Sequence, residues 1–316
     1  MTIVKFARKV SKKGDIMFRL KYLMLAIGMI SMFTWGGEER CDLPGKIAHI
    51  ASRISLKDKI SDPDILRNRK RLRDMCLYRV EFEEGAYRWK MLLVFNPQRK
   101  KGPFWYLPHD NENSAFDAAV YAMMKYGGGF LAVRSGGNRY FKGQDPNRNF
   151  GDDARTARVC PAQRTPAPLY SRNVFGIIDS FRSSSMPYLA LHNNSDGWRG
   201  NGGRGGISIL KKSDRVLSYP AYKNIKSGRK KGLQDEDSMV YIAGRSSSPP
   251  ASVLKRLHKA GLNVKYEIVD RVHNDCSMSN YVVLKKRSSR YYNIESEHGD
   301  TATQIRMIDR LLRAIK

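Results

Sequence analysis

Residues 104–133 read FWYLPHDNENSAFDAAVYAMMKYGGGFLAV, and this stretch decides the class of fold. It begins with four apolar or aromatic residues, which predict a short buried strand, and residues 114–126 then show the periodicity of a helix. Ser114 with Asp117 resembles a capping box, and the glycines that follow Tyr126 end the helix before a second strand. A strand, a helix and a strand in this order predict a unit of a parallel sheet.

The rest of the chain continues this alternation. Further strands are predicted at residues 77–82, 89–95, 187–191, 239–243, 264–269, 280–284 and 291–294, and helices at residues 170–182, 251–260 and 304–315. We therefore expect an α/β fold with a mixed, largely parallel, twisted sheet and helices on both faces. The glycine-rich stretch 197–206 predicts a long loop beside a strand end, where ligands bind in such sheets.

The composition is strongly basic, since 57 Lys and Arg residues against 30 Asp and Glu residues give a formal charge of +27. The hydrophobic content of 41% excludes wholesale disorder. The positive charge favours an anionic partner, for which we expect a cell-envelope polymer; an ordinary solvated surface is the alternative. Aromatic residues do not interleave with the basic clusters as base stacking requires, so nucleic acid is not the expected partner.

The first 36 residues are typical of an exported protein. Residues 1–22 hold seven basic side chains and one acid, and residues 23–35 are an uncharged apolar run. This run is shorter than the roughly 20 residues of a membrane-spanning helix and fits the centre of a secretory signal. We expect a signal peptide or membrane anchor at 1–36, an extension at 37–74 and a catalytic domain at 75–316, in the periplasm or outside the cell.

Four cysteines would enter an oxidising compartment if the chain is exported: Cys41, Cys76, Cys160 and Cys276. They allow three complete disulfide pairings, among which the sequence does not choose. Four free buried thiols are the alternative.

Three residues have the side chains of a catalytic metal site. His109 and Glu112 follow the strand at Phe104–Leu107, and His192 follows the strand predicted at 187–191. Imidazole nitrogens and a carboxylate oxygen are ligands of catalytic zinc, and two histidines with one glutamate leave a fourth position open.

Two further segments carry groups suited to substrate binding and catalysis. In DPNRNF, residues 145–150, Asn147 and Arg148 can bind a carboxylate, the arginine by a two-pronged contact. Glu295 ends a predicted strand and can act as general base. Glu297 is the alternative base, because alternation along a strand points both carboxylates to one face.

In this order, the His-x-x-Glu pair, the Asn-Arg pair, the strand-end histidine and the strand-end glutamate resemble the zinc carboxypeptidase superfamily over about residues 100–310. The step of 83 residues from His109 to His192 is closer to its compact branch, which resembles bacterial carboxypeptidases, succinylglutamate desuccinylase and aspartoacylase. The resemblance implies one zinc ion on His109, Glu112 and His192. It also implies that Asn147 and Arg148 hold a substrate carboxylate.

The same resemblance assigns the remaining roles. Glu295 would be the general base, and Arg139 would stabilise the transition state, with Arg134 as the second choice. Asn280 and Tyr281 would line the pocket for the substrate side chain.

The function that the resemblance implies is a zinc-dependent metallocarboxypeptidase-like hydrolase. It would cleave a peptide or amide bond next to a free carboxylate, and a cell-wall stem peptide is the first substrate to test. One alternative is an N-acyl amino acid deacylase of the same superfamily. Another is an inert polyanion-binding protein that retains the fold.

Overall fold

Ten strands form one mixed sheet in the computed structural model, which describes residues 41–163, 165–228 and 232–316. In chain order, β1 to β10 are Ala51–Arg53, Cys76–Glu84, Tyr87–Phe95, Phe104–Leu107, Gly129–Val133, Tyr188–Asn194, Val216–Tyr219, Met239–Gly244, Val264–Ile268 and Tyr291–Glu297. Their order across the sheet is β1-β2-β3-β5-β4-β6-β10-β8-β9-β7. The pairs β5–β4, β4–β6, β6–β10 and β8–β9 are parallel, and the other neighbouring pairs are antiparallel.

Eight α-helices accompany the sheet within the described residues. In chain order, α1 to α8 are Gly45–Ala48, Pro63–Leu72, Asn113–Tyr126, Ala154–Val159, Pro168–Phe181, Ala251–Lys259, Met278–Leu284 and Thr301–Ala314. Helices α2, α3, α6 and α8 contribute side chains to one hydrophobic core with the sheet.

Strand β4 shows that helices cover both faces of the sheet. Trp105 and Leu107 belong to the core that α3 covers. Phe104 points the other way and stacks on Phe181 of α5 at a centroid distance of 5.6 Å, because successive side chains of a strand alternate in direction. Each such fully buried side chain stabilises the fold by roughly 1.5–3 kcal/mol. The predicted α/β class, with a mixed sheet between helices, is confirmed.

Two local predictions are wrong. Residues 280–284, predicted as a strand, belong to helix α7. The hydroxyl of Ser277 caps the first turn of this helix by accepting from the backbone N–H of Asn280. Ser114 does not cap α3; it lies inside that helix, and its hydroxyl accepts from the backbone N–H of Gly299. Both cases show a tertiary contact or a cap overriding a short sequence pattern.

The compact unit begins at Leu43 and runs to Lys316, so it includes residues that we expected in an extension. Strand β1 pairs with β2, and Ile65 and Leu72 of α2 lie in the core. The proposed signal segment lies outside the described residues. Among the helices that the structure describes, none combines the length and the hydropathy that crossing a bilayer requires.

Gly128, between α3 and β5, should not tolerate a side chain. Its φ is +69°, and a Cβ built there would lie 2.0 Å from the carbonyl oxygen of Pro103. Gly128→Ala should therefore lower the free energy of unfolding by at least ~2 kcal/mol, measured by urea denaturation. Gly176→Ala is the matched control, because a Cβ there meets nothing within 4 Å, and a helix gains roughly 0.5–1 kcal/mol from this change. Equal stability of the two variants would contradict the left-handed backbone conformation of Gly128 and its close approach to Pro103.

Candidate metal centre and adjoining cavity

Strands β6 and β10 bring His192 and Glu295 side by side. The two residues are partners in the parallel register of these strands, so their side chains point to the same side of the sheet. Both strands continue past the ends predicted at 191 and 294, and His192 and Glu295 are therefore inside strands.

His109 and Glu112 come from the turn between β4 and α3. The turn places Nδ1 of His109 2.7 Å from Oε1 of Glu112. The other carboxylate oxygen of Glu112 accepts from the backbone N–H of Asn193 at 3.0 Å, which fixes the carboxylate against β6.

The three residues predicted as ligands meet at one point. Nδ1 of His192 lies 3.2 Å from Nδ1 of His109 and 3.4 Å from Oε2 of Glu112. One possible ligand atom from each residue lies within 4.8 Å of the others, and all three residues are buried. The group can therefore hold a single metal ion.

The charges around this group favour a positive charge at its centre. Nε2 of His109 lies 2.9 Å from Oδ1 of Asp145, an outer carboxylate of the kind that orients metal-bound histidines. Burial opposes a charged ring, but Glu112 and Asp145 raise the pKa of His109 above its usual value. Burial likewise opposes ionised Glu112, yet the two histidines hold the pKa of its carboxyl well below its usual range. An ionised carboxylate and two ring nitrogens facing one point are the donor set of a metal site.

Arg139 reaches the candidate site from solvent, whereas Arg134 does not. Nη1 of Arg139 lies 3.1 Å from Oε1 of Glu112. Arg134 is instead held in ion pairs by three acids, Asp62, Asp64 and Asp110. Asp110 also accepts from the backbone N–H groups of Ser135 and Gly137, and so anchors the loop that carries Arg139.

Asn147 and Arg148 form a single 3₁₀ turn, Pro146–Arg148, next to the ligands. Asp145 caps this turn by accepting from the Asn147 backbone N–H at 2.8 Å. The side-chain amide nitrogen of Asn147 lies 3.4 Å from Nε2 of His192. Nε of Arg148 lies 3.1 Å from Oδ2 of Asp275, which occupies one side of the guanidinium.

A cavity of about 270 Å³ adjoins this turn, and Asn147, Arg148 and Glu295 line it. Oε1 of Glu295 accepts from the side chain of Asn293 at 2.9 Å. Oε2 of Glu295 is buried and has no hydrogen-bond partner in the described part of the chain. Burial raises the pKa of the Glu295 carboxyl, against the opposing effect of His192.

The other predicted site residues occupy different surroundings. Glu297 is buried, but the cavity lining that the structure describes does not include it. Asn280 is buried behind the cavity, where its side chain donates to Oε1 of Glu267 at 2.6 Å. Tyr281 packs against Phe150 and Phe175 instead of lining the cavity.

A disulfide fixes the wall of the cavity behind Arg148. All four cysteines are disulfide-bonded, and Cys160 pairs with Cys276. The carbonyl of Cys276 accepts from the backbone N–H of Phe150 at 3.0 Å. The segment that carries Asp275 is thereby tied to the segment that carries Arg148.

The glycine-rich loop expected at 197–206 follows β6 and reaches the cavity through Gly206. Asp237 anchors its start, because one carboxylate oxygen accepts from the Gly197 backbone at 2.7 Å and the other from the Asn194 side chain at 2.8 Å. Burial raises the pKa of Asp237 to about 8.

Three acids of this region were not foreseen from the sequence. Asp145 begins the DPNRNF segment, where the preference of Asp for turns is enough to explain its presence. Asp275 follows no periodic pattern. Glu267 and Lys265 alternate with apolar and aromatic residues in β9, and charged residues in a strand of a sheet expected to be covered on both faces were the available signal.

Comparison with known proteins gives structural likeness only. No protein-family model matches the chain, and no curated protein does. A solved structure from Shewanella amazonensis, named as a candidate metallopeptidase, is similar with a TM-score of 0.41 and 12% identity over 79% of this chain and 88% of that one. Another from Shewanella denitrificans, named likewise, has a TM-score of 0.40 and 9% identity over 87% and 97% of the two chains.

Proposed function

We propose that this protein is a zinc-dependent hydrolase of carboxypeptidase type, which cleaves a peptide or amide bond beside a free carboxylate. The observation that carries the proposal is that three candidate metal ligands and a cavity meet at the carboxyl ends of the central strands β6 and β10. The buried group of His109, Glu112 and His192 lies next to residues of a cavity lined by Arg148 and Glu295: Asn147, which also lines the cavity, lies 3.4 Å from His192, and Glu295 is the register partner of His192.

Zinc is the metal we propose, because two imidazoles and one carboxylate suit it and leave a position open. When bound, it would supply Lewis-acid chemistry, polarising the scissile carbonyl and acidifying water. Asp145 would keep the proton of His109 on Nε2, so that the Nδ1 lone pair faces the metal position.

Glu295 is suited to moving the protons of the reaction. Its free Oε2 can accept a proton from the attacking water, and the same carboxyl can pass that proton to the departing amine. Burial supports this role, since a raised pKa brings a carboxyl closer to neutral pH. Arg139 can direct its guanidinium at the charge that develops on the carbonyl oxygen.

Arg148 would hold the free carboxylate of the substrate. The cavity wall presents its guanidinium, and arginine binds carboxylates in a planar, two-pronged contact. The substrate carboxylate would enter beside Asp275, which contacts the same guanidinium in the free protein.

Arg148→Ala should mainly raise KM, since the substrate carboxylate is charged before and during the reaction. The loss of a charged hydrogen bond of roughly 1.5–3 kcal/mol corresponds to about a 10- to 150-fold change. Steady-state kinetics on a short peptide and on its carboxy-terminal amide would measure this. The amide should be equally poor for the wild type and for Arg148→Ala.

Arg88→Ala is the matched control for this experiment. Arg88 pairs with Glu81 on the surface of the β2–β3 hairpin and should leave both kinetic constants unchanged. If amidation leaves the wild-type rate unchanged, the carboxypeptidase proposal is wrong. Cleavage of N-acyl amino acids but not of peptides would favour the deacylase, and absence of bound metal would favour the inert polyanion-binding protein.

We also propose that the protein works outside the cytoplasm, on a cell-wall stem peptide. Disulfides persist in oxidising compartments, and all four cysteines are in disulfides. A panel of muropeptides, with release of the terminal residue followed by mass spectrometry, tests the substrate. Amino-terminal sequencing of the protein from its host tests export.

A further inference from the structure

We propose that a cavity on the other face of the sheet binds a phosphate group of an extended anionic ligand. This cavity, the arginine cavity, has a volume of about 300 Å³, and Tyr292 of β10 lines it. Glu295 of the same strand points to the opposite face, because successive side chains of a strand alternate in direction. Among the described residues, none lines both the arginine cavity and the cavity beside Arg148. The inference therefore does not depend on the proposed function.

The charged side chains in the described lining of the arginine cavity are all positive. They are Arg245, Arg256 and Arg290, with no Asp or Glu beside them. Within the described residues, no side-chain hydrogen bond or ion pair engages Arg245 or Arg256. Arg290 donates to the backbone carbonyl of Ser185, and a guanidinium has five N–H donors in all. Three guanidinium groups without a carboxylate favour an anion from outside the chain, and their planar forks match phosphate oxygens.

A buried phenol lies close to these arginines. Tyr292 is 6% exposed, and its ring packs in the hydrophobic core. Its hydroxyl has no hydrogen-bond partner in the part of the chain that the structure describes, although buried tyrosine hydroxyls usually find one. Burial raises the pKa of Tyr292, and the positive charges of Arg256 and Arg290 oppose this effect. The hydroxyl is therefore a free donor next to two of the three guanidinium groups.

The loop between β8 and α6 is held in a fixed shape beside the cavity. The hydroxyl of Tyr266 donates to the backbone carbonyl of Ser246 at 2.8 Å. Gly244 makes room for this contact, because a Cβ there would lie 2.6 Å from the Tyr266 hydroxyl. Helix α6 then begins after Pro250, which lines the cavity and provides no side-chain cap. The positive end of the helix dipole adds to the attraction for an anion.

A second cavity extends the positive surface. It has a volume of about 530 Å³ and shares Arg256 with the arginine cavity. Its described lining adds Lys259, Arg310 and Arg313 and again contains no acid. A ligand with a single phosphate group would occupy one cavity only. A phosphodiester chain could place successive phosphate groups in both, so we infer that the ligand is extended.

Helix dipoles explain only part of this surface. Arg256 and Arg313 lie in the last turns of α6 and α8, where cations stabilise a helix. Arg245 and Arg290 lie outside helices and strands, so this reason does not apply to them. It also does not explain why the hydroxyl of Tyr292 is buried without a partner in the described residues.

Calorimetric titration of the full chain with inorganic phosphate and with a glycerol phosphate oligomer tests the proposal. Arg256→Gln should weaken the binding of both by roughly 10- to 100-fold, as the loss of a charged hydrogen bond predicts. Tyr292→Phe removes only the hydroxyl and should weaken both by roughly 2- to 10-fold. Arg158→Gln, the same loss of charge at an exposed position of α4, is the matched control and should leave both affinities unchanged.

Arg313→Gln separates the two sources of phosphate. Weaker binding of the oligomer with unchanged binding of inorganic phosphate supports a chain that crosses both cavities. If the oligomer binds no more tightly than inorganic phosphate, the extended ligand is overturned and a small phosphate compound is the ligand. If neither probe binds, or if Arg256→Gln weakens binding no more than Arg158→Gln, the site itself is overturned, because general attraction to the +27 charge then accounts for any binding.

Discussion

Glu295→Gln should lower turnover by at least ~10²-fold while metal and substrate still bind, because removal of a general base typically costs this much or more. The physical reason is local. Oε2 of Glu295 is buried without a hydrogen-bond partner in the described structure, and Glu295 lies beside His192 in the register of two parallel strands. Glutamine has the same shape but cannot accept the proton. Single-turnover kinetics with metal analysis of each preparation would measure the loss.

Glu297→Gln is the matched comparison, since both carboxylates are buried on the same strand. Of these two residues, Glu295 lines the cavity and Glu297 does not, so Glu297→Gln should retain more turnover than Glu295→Gln. If Glu295→Gln keeps near-normal turnover and Glu297→Gln abolishes it, the general base is two residues further along the chain.

His192→Ala should lose stoichiometric zinc and lower turnover by at least ~10³-fold, because a metal ion contributes several kcal/mol to such reactions and each 1.36 kcal/mol is a factor of about ten. His192 supplies one of three facing ligand atoms, and two ligands hold zinc much less firmly. A readout independent of activity is thermal unfolding. Zinc at 100 times its Kd should stabilise the wild type by about 2.7 kcal/mol, and the variant should show no such shift.

His273→Ala is the control for that experiment. His273 is an exposed histidine whose ring contacts Asp270, so its removal should leave the zinc content and the zinc-induced shift unchanged. Equal zinc-dependent stabilisation of wild type and His192→Ala would contradict the proposed ligand set.

The sequence predicted those parts of the fold that depend on local pattern. Phe104–Leu107 was predicted with its observed bounds, since four apolar residues precede a turn and a helix. Strands β6 and β10 were predicted too short, because the apolar pattern stops at Leu191 and Ile294 while the parallel pairing continues. Polar residues at a strand end that faces a site extend the strand without extending its hydrophobic signal.

The candidate site was predictable where residue type and order were enough. His109, Glu112 and His192 come together although 83 residues separate the two histidines. The contacts of Asp145 with His109 and of Asp275 with Arg148 join distant segments, and a single sequence does not contain this information. Residues 280–284 were misread because the apolar residues of a short helix also fit a strand, and the Ser277 cap was the signal that distinguished them.

The most direct test of the central claim is anomalous diffraction at the zinc edge from crystals grown with zinc. We expect one strong anomalous peak, about 2.0–2.2 Å from Nδ1 of His109, a carboxylate oxygen of Glu112 and Nδ1 of His192. The absence of a peak between these three residues, in protein that is otherwise folded as described, would contradict the claim that they form the metal centre of a hydrolase.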